Sequence, residues 1–125
     1  MMERHTRGTG IFGEEAACNY LMNKGYRIVT RNYYGCGCEI DIIAESEDTM
    51  VFCEVKTAFS PKFGPPITWV TQKKIRHIAR AATEYIVSHG ISEISFRFDI
   101  IGLEAVDGGF EITHLENAFN APVNL

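Results

Sequence analysis

The order of apolar and polar residues along the chain predicts two helices and five strands. Ala17, Cys18 and Leu21 recur with helical spacing and predict a helix over residues 8–24, with Thr9 as its N-cap and Gly25 as the residue that ends it. Five stretches rich in alternating apolar residues predict strands at 26–34, 39–45, 50–56, 94–106 and 110–114. A second helix begins within 67–72 and ends at Gly90, with a core stripe made of Ile75, Ile78, Ala79, Ala82, Tyr85 and Ile86.

This pattern gives the element order αβββαββ. A three-stranded meander after one helix, followed by a crossover helix and two more strands, predicts an α/β (α+β) fold with a mixed sheet of about five strands. The proline- and glycine-containing stretch 57–66 is expected to be a loop. With 125 residues, the chain is expected to form a single domain over 1–125.

The two strands at 39–56 form the most informative predicted hairpin. If 46–49 form its loop, the numbers of opposed residues sum to 95. One face is then entirely apolar and is expected to face a core, with Ile40, Ile42 and Ala44 opposite Val55, Cys53 and Val51. The other face places Glu39 opposite Lys56, Asp41 opposite Glu54, and Ile43 opposite Phe52.

Asp41 and Glu54 are like charges on opposed positions, about 5 Å apart, which is unfavourable without a counter-charge. A hard divalent cation would supply that charge, and the period of two places Lys56 on the same face as Glu54. Two carboxylates and a lysine are a candidate phosphodiesterase site. The alternative is an exposed face with one Glu39–Lys56 salt bridge, although the apolar neighbours Ile43 and Phe52 favour a covered face.

Glu14 shares the helical stripe of Ala17, Cys18 and Leu21, so its carboxylate is expected to face inward. A carboxylate on a buried stripe is costly unless it is paired or bound to a metal. The alternative is an acid in the first turn that is stabilised by the helix dipole.

Composition narrows the classes of function. No apolar run approaches the ~20 residues of a membrane span, and no secretory signal is visible, so a cytoplasmic protein is expected. The four cysteines suggest no disulfide framework, and the single C-x-C at Cys36 and Cys38 lacks the second pair that a zinc site requires. The net charge of −4 is not that of a typical nucleic-acid-binding protein.

Basic residues nevertheless cluster on the second helix. Lys73, Arg76 and Arg80 form a ridge, with Lys74 beside it, and either contact phosphates or form an ordinary solvated face. Asp99 is expected to pair with Arg97 or with a neighbouring strand and not to bind a metal.

An acid at Glu14, Asp41 and the E-V-K at 54–56 together resemble the PD-(D/E)XK nuclease site of the restriction-endonuclease-like fold. More closely, the chain resembles the YraN-like family of uncharacterised, predicted bacterial endonucleases. The resemblance covers nearly the whole chain. Its segments are F-G-E-E-A-A at 12–17, L-M-N-K-G-Y at 21–26, R-N-Y at 31–33, E-I-D-I-I-A at 39–44, F-C-E-V-K-T at 52–57, F-G at 63–64, K-K-I-R-H-I-A-R-A-A at 73–82, R-F-D-I-I at 97–101 and N-A-F at 117–119.

Two positions depart from the family pattern: Cys38 replaces a usual glycine, and Ala58 replaces a usual arginine that could contact a phosphate. The resemblance implies metal-dependent hydrolysis of nucleic acid, DNA more than RNA, and a possible homodimer. A binding module without catalysis and an interaction protein without nucleic-acid affinity remain as alternatives.

The mechanistic hypothesis assigns each site residue a role. Asp41 and Glu54, with the backbone carbonyl of Val55, bind Mg²⁺ or Mn²⁺, and Glu14 binds a second metal or an ordered water. Lys56 orients the attacking water or neutralises charge on the phosphate, and Glu39 pairs with Lys56. The four basic residues of the second helix hold the sugar-phosphate backbone: Lys73, Lys74, Arg76 and Arg80.

Overall fold

The computed structural model describes residues 10–120, so the predicted N-cap at Thr9 lies outside the described part. The predicted order αβββαββ is confirmed. The elements are α1 (Gly10–Asn23), β1 (Arg27–Gly35), β2 (Cys38–Ser46), β3 (Thr49–Ala58), α2 (Gln72–Ser88), β4 (Ser95–Val106) and β5 (Gly109–Leu115). No helix in this part of the chain is long and apolar enough to cross a membrane.

The five strands form one mixed sheet in the order β1-β2-β3-β4-β5. All neighbouring pairs are antiparallel except β3 and β4, which run parallel because α2 carries the chain back between them. The predicted mixed sheet of about five strands flanked by helices is therefore confirmed.

Two apolar clusters hold the helices on opposite faces of the sheet. Leu21 of α1 packs with Ile42, Val51 and Ile101 on one face. On the other face, the cluster of α2 contains Ile43, Phe52, Ile78, Tyr85 and Phe98. Burial of each such large side chain stabilises the fold by roughly 1.5–3 kcal/mol, so both helices are firmly attached.

The helix ends follow the local sequence. Gly25 has a φ of 94°, and the amide of Tyr26 donates to the carbonyl of Leu21 at 3.0 Å, which is a glycine-terminated helix end as predicted. The hydroxyl of Thr71 accepts from the amide of Lys74 at 3.1 Å and fixes the start of α2. The predicted core stripe of α2 is buried except at Ile75, which is only half-buried, and Ala81, which the prediction left out, is fully buried.

The predicted loop at 57–66 needs correction, because β3 continues through Ala58 and the loop contains two short 3₁₀ turns, Pro61–Phe63 and Pro66–Thr68. The hairpin register is confirmed from Ile42 opposite Cys53 to the turn. It does not continue to the pair of Asp41 and Glu54.

Candidate metal-dependent active site

The candidate site lies where the regular sheet is interrupted at Asp41. Ile40 packs in the cluster of α2, whereas Ile42 packs in the cluster of α1, so the expected placement of both on one apolar face is wrong. The β1 residue between the partners of Ile42 and Ile40 is Asn32, which has a φ of 52°. A non-glycine residue with positive φ inside a strand is a strained conformation that often marks functional sites.

This irregularity sends the Asp41 side chain toward the backbone of β3. Asp41 Oδ2 accepts a hydrogen bond from the amide of Val55 at 2.8 Å. The Asp41 carboxylate, and not a β2 carbonyl, therefore satisfies this amide. Asp41 is half-buried, and its charge acts on both Glu54 and Glu14.

Glu54 is the most unusual ionisable group of the site. It is only 2% exposed, and its Oε2 lies 3.3 Å from Lys56 Nζ and 3.6 Å from Lys74 Nζ. Its other oxygen, Oε1, is buried and has no hydrogen-bond partner among the described residues. Burial and the nearby Asp41 raise the pKa of Glu54 to about 7, against the attraction of the two lysines.

Lys56 extends from β3 on the same face as Glu54 and pairs with it. The predicted Glu39–Lys56 pair is therefore replaced. With the Asn32 amide oriented so that its nitrogen faces the carboxylates, it donates to Glu39 Oε2 at 2.9 Å and to Glu14 Oε1 at 3.2 Å. Asn32 thus joins two acids that would otherwise repel.

Glu14 faces the site from α1, as the helical stripe predicted. Its side chain is 22% exposed and lies 3.9 Å from Arg31 Nη2. Burial raises the pKa of Glu14, and the charges of Asp41 and Glu39 add to that rise, whereas Asn32 and Arg31 oppose it. Glu14 is therefore part of the same electrostatic cluster as Asp41.

The backbone of α1 at Gly13 packs closely against the side chain of Thr57 near the end of β3. A Cβ added at Gly13 would lie 2.1 Å from Thr57 Oγ1, so only glycine allows this approach. Because Glu14 follows Gly13 and Lys56 precedes Thr57, this contact sets the position of the Glu14 backbone relative to the lysine.

The four basic residues of α2 separate into two groups. Lys74 is half-buried against Glu54 and belongs to the acidic centre, whereas Lys73, Arg76 and Arg80 are exposed. Arg76 and Arg80 line a groove of about 460 Å³ along α2, together with Cys36 and Glu84. Desolvation lowers the pKa of His77, and the surrounding cations, Arg80 first among them, lower it further.

The predicted role of Asp99 as an ion-pair partner is confirmed. Asp99 is fully buried, and its two oxygens lie 3.0 Å from Arg97 Nε and 2.7 Å from His114 Nε2. Burial alone would raise the pKa of Asp99, but the hydrogen bonds from His114 and Arg97 outweigh it and lower that pKa. Cys18, Cys36, Cys38 and Cys53 are all free thiols.

The donor set at Asp41 and Glu54 fits a hard cation. Within residues 10–120, no group of three or more His, Cys, Asp or Glu side chains converges as a finished metal cage. Mg²⁺ does not need one, because it usually keeps several waters and binds one or two carboxylates together with a substrate phosphate. The unpartnered, buried oxygen of Glu54 beside a second carboxylate is the observation that favours such an ion.

Sequence reasoning missed two residues that shape this site. Asn32 falls within the predicted strand 26–34, and only its position opposite Asp41, combined with the tolerance of asparagine for positive φ, distinguishes it from its neighbours. The only sequence feature of Gly13 is that it is a glycine within a predicted helix, where a glycine often indicates close packing.

The five-stranded mixed sheet, with a helix on each face and a carboxylate–lysine centre on β2 and β3, is consistent with an α/β protein of restriction-endonuclease-like core. Residues 13–103 match the model of the uncharacterised protein family UPF0102, and the chain belongs to this family. A UPF0102 protein of Alkaliphilus oremlandii is 46% identical over 112 residues, covering 88% of this chain and 96% of the relative. One from Syntrophomonas wolfei is 40% identical over 113 residues, covering 90% and 98%.

Proposed function

We propose that the protein is a metal-dependent nuclease-like phosphodiesterase that acts on nucleic acid, with structured DNA as the preferred substrate. The observation that carries the proposal is the buried, unpartnered Glu54 Oε1 beside Asp41. Burying a carboxylate in this way is costly unless a cation completes the arrangement. The four free cysteines agree with action in the reducing cytoplasm.

Asp41 and Glu54 would hold Mg²⁺ or Mn²⁺, with the Val55 carbonyl as a further ligand and Glu14 at the edge of the site. When bound, the ion lowers the pKa of a coordinated water and neutralises phosphate charge. The amide of Val55 fixes the orientation of Asp41, since it donates to Asp41 Oδ2 at 2.8 Å.

Lys56 is the residue best placed to act on the reacting phosphate. Its ammonium lies 3.3 Å from Glu54 Oε2, and its side chain remains 32% exposed, so it can reach both the acidic centre and a substrate. There it would orient the attacking water or neutralise charge that develops on the phosphate. Lys74 holds Glu54 from the side of α2 and supports the position of its carboxylate.

The exposed cations of α2 would bind the sugar-phosphate backbone. Such contacts are sequence-independent and weaken with salt. If Lys73, Arg76 and Arg80 each neutralise one phosphate, the logarithm of duplex affinity should fall with that of salt concentration with a slope of about −2.7.

The test is cleavage of branched, flapped and single-stranded DNA in Mn²⁺, before and after chelation, by the wild-type protein and by Asp41→Ala and Glu54→Ala. Both variants should lose the metal-dependent cleavage, while Asp48→Ala in the exposed β2–β3 turn should retain it. Cleavage that survives in both site variants would refute the assignment.

A nucleic-acid-binding protein without catalysis is the second candidate. It is favoured by Ala58, which is buried where the family usually has an arginine, so one phosphate contact near the site is missing. This candidate predicts binding that persists in EDTA and in Lys56→Ala, with no cleavage of any substrate. No binding at low salt to duplex, branched or single-stranded DNA would exclude both candidates and favour an interaction protein.

A further inference from the structure

The loop between β3 and α2 presents an aromatic ring to solvent. Phe63, at the end of the first 3₁₀ turn, is 71% exposed, the largest exposure of any large apolar residue whose burial is described. Single exposed apolar side chains are common on protein surfaces, so the exposure of Phe63 becomes informative only together with the order of its loop, the position of that loop and the charge beside the ring.

The loop that carries Phe63 is ordered by its own hydrogen bonds. The indole N–H of Trp69 donates to the carbonyl of Phe63 at 3.0 Å, which ties the two ends of the loop together. Ser60 Oγ accepts from the amide of Lys62 at 3.1 Å and caps the turn, and Pro61 restricts its backbone. Phe63 is therefore preorganised, and binding through its ring would cost little conformational entropy.

The same loop is anchored beside Lys56. A Cβ at Gly102 would lie 2.6 Å from Ile67 Cγ2 and 3.3 Å from Pro66 Cγ, so the second 3₁₀ turn packs directly on this glycine of β4. Gly102 lies directly beside Lys56 of β3 in the parallel pair of strands, so both residues face the same side of the sheet. The second 3₁₀ turn therefore covers the sheet face that carries the Lys56 side chain. The loop thus borders the candidate site.

A cation lies beside the ring, and another is exposed on the helix to which the loop leads. Lys62 Nζ lies 5.6 Å from the centroid of the Phe63 ring, and Lys73 is exposed where α2 begins. Exposed aromatic rings combined with cations are the usual means by which proteins bind unpaired nucleotides, since the ring stacks on the base and the cations hold the backbone.

We infer that Phe63 is a stacking platform for an unpaired base of the nucleic-acid strand whose phosphate reaches Lys56. The substrate class is therefore a nucleic acid with at least one unpaired base next to the bond that is cleaved. A blunt, fully paired duplex keeps its bases stacked on one another and cannot use this platform. The inference rests on the proposed function in that nucleic acid is the ligand, but it does not require that the protein cleaves it.

The experiment measures binding in EDTA at low salt, so that it does not depend on catalysis. Fluorescence anisotropy compares a single-stranded oligonucleotide with the blunt duplex of the same sequence, and 2-aminopurine in the single strand reports stacking. The variants are Phe63→Ala, Phe63→Leu and Phe63→Trp, with thermal unfolding as a check on folding. Phe63→Leu preserves an apolar side chain without the aromatic face, and Phe63→Trp preserves stacking.

Phe63→Ala and Phe63→Leu should lower single-strand affinity roughly 5- to 100-fold and remove the 2-aminopurine quenching, while Phe63→Trp retains both. Duplex affinity should change by less than about twofold in all variants, because phosphate contacts dominate it. Unchanged single-strand affinity in Phe63→Ala, or wild-type affinity in Phe63→Leu, would overturn the platform and leave the proposed nuclease function standing. Binding that depends on Phe63 without any cleavage by the wild-type protein would refute the nuclease function and leave the platform standing.

Discussion

Replacement of Glu54 by glutamine removes the buried charge and keeps nearly the same side-chain shape. Glutamine resembles the protonated form of Glu54. The substitution should therefore change the free energy of unfolding by about the cost of ionising that carboxyl in the folded protein. Burial and Asp41 raise the pKa of Glu54 from 4.5 to about 7. At about 1.4 kcal/mol for each pKa unit, this rise corresponds to roughly 3–4 kcal/mol.

The direction in which the stability of the wild-type protein changes with pH follows from proton binding. Between pH 4.5 and about 7 the folded metal-free protein holds a proton on Glu54 that the unfolded chain has lost, so the stability of the wild-type protein falls as pH rises through this window. Glu54→Gln avoids this loss. The variant should match the wild type below pH 4.5 and exceed it in free energy of unfolding by roughly 3–4 kcal/mol above pH 7.

Urea unfolding in EDTA at a series of pH values measures this difference directly. Asp48→Asn in the exposed β2–β3 turn is the matched control and should follow the wild-type stability at every pH. In Mn²⁺ at pH 8 the difference in free energy of unfolding between Glu54→Gln and the wild type should become smaller, because only the wild type gains stability from the ion. A Glu54→Gln variant that is less stable than the wild type at pH 8 in EDTA would contradict the account of a carboxylate whose burial the two lysines offset only in part.

Three further substitutions test the surroundings of the site. Gly13→Ala should lower the free energy of unfolding by about 1–3 kcal/mol despite the better helix propensity of alanine, because its Cβ meets Thr57 Oγ1, and thermal unfolding of Gly13→Ala combined with Thr57→Ala should show recovery. Asn32→Gly should lower thermal stability, because glycine tolerates the φ of 52° but cannot join Glu39 to Glu14, and it should weaken Mn²⁺ binding in calorimetry, because Glu14 is no longer held in position. Asp99→Asn should lower the free energy of unfolding by about 3 kcal/mol in urea, because the substitution removes the buried charge that pairs with half-buried Arg97 and with His114. Equal stability of the Asp99 variant and the wild type would contradict the buried network.

The fold was largely predictable from the sequence because the apolar periods are strong and the helix boundaries carry clear signals. The alternation of Phe96, Phe98 and Ile100, the glycine at Gly25 and the turn before β5 each correspond to elements of the structure. Parallel pairing of β3 with β4 followed from the helix between them.

The site was only partly predictable, because its geometry depends on a departure from regular periodicity. A strict period of two placed Ile40 with Ile42 and opposed Asp41 to Glu54, whereas the structure turns Ile40 to the other face. No local rule shows that Asn32 takes a positive φ or that Lys74 turns inward to Glu54. Both depend on long-range packing between β1, β2 and α2, which a linear pattern does not contain.

A crystal structure of the protein soaked in Mn²⁺, with an anomalous difference map, tests the central claim most directly. The account predicts a Mn²⁺ peak within coordination distance of both Asp41 and Glu54, with Glu54 Oε1 as one of its ligands. The peak should be absent in Asp41→Asn and Glu54→Gln crystals treated in the same way. A saturating soak that shows no peak at these two carboxylates, or places Mn²⁺ only elsewhere, would contradict the assignment of this centre as a metal site.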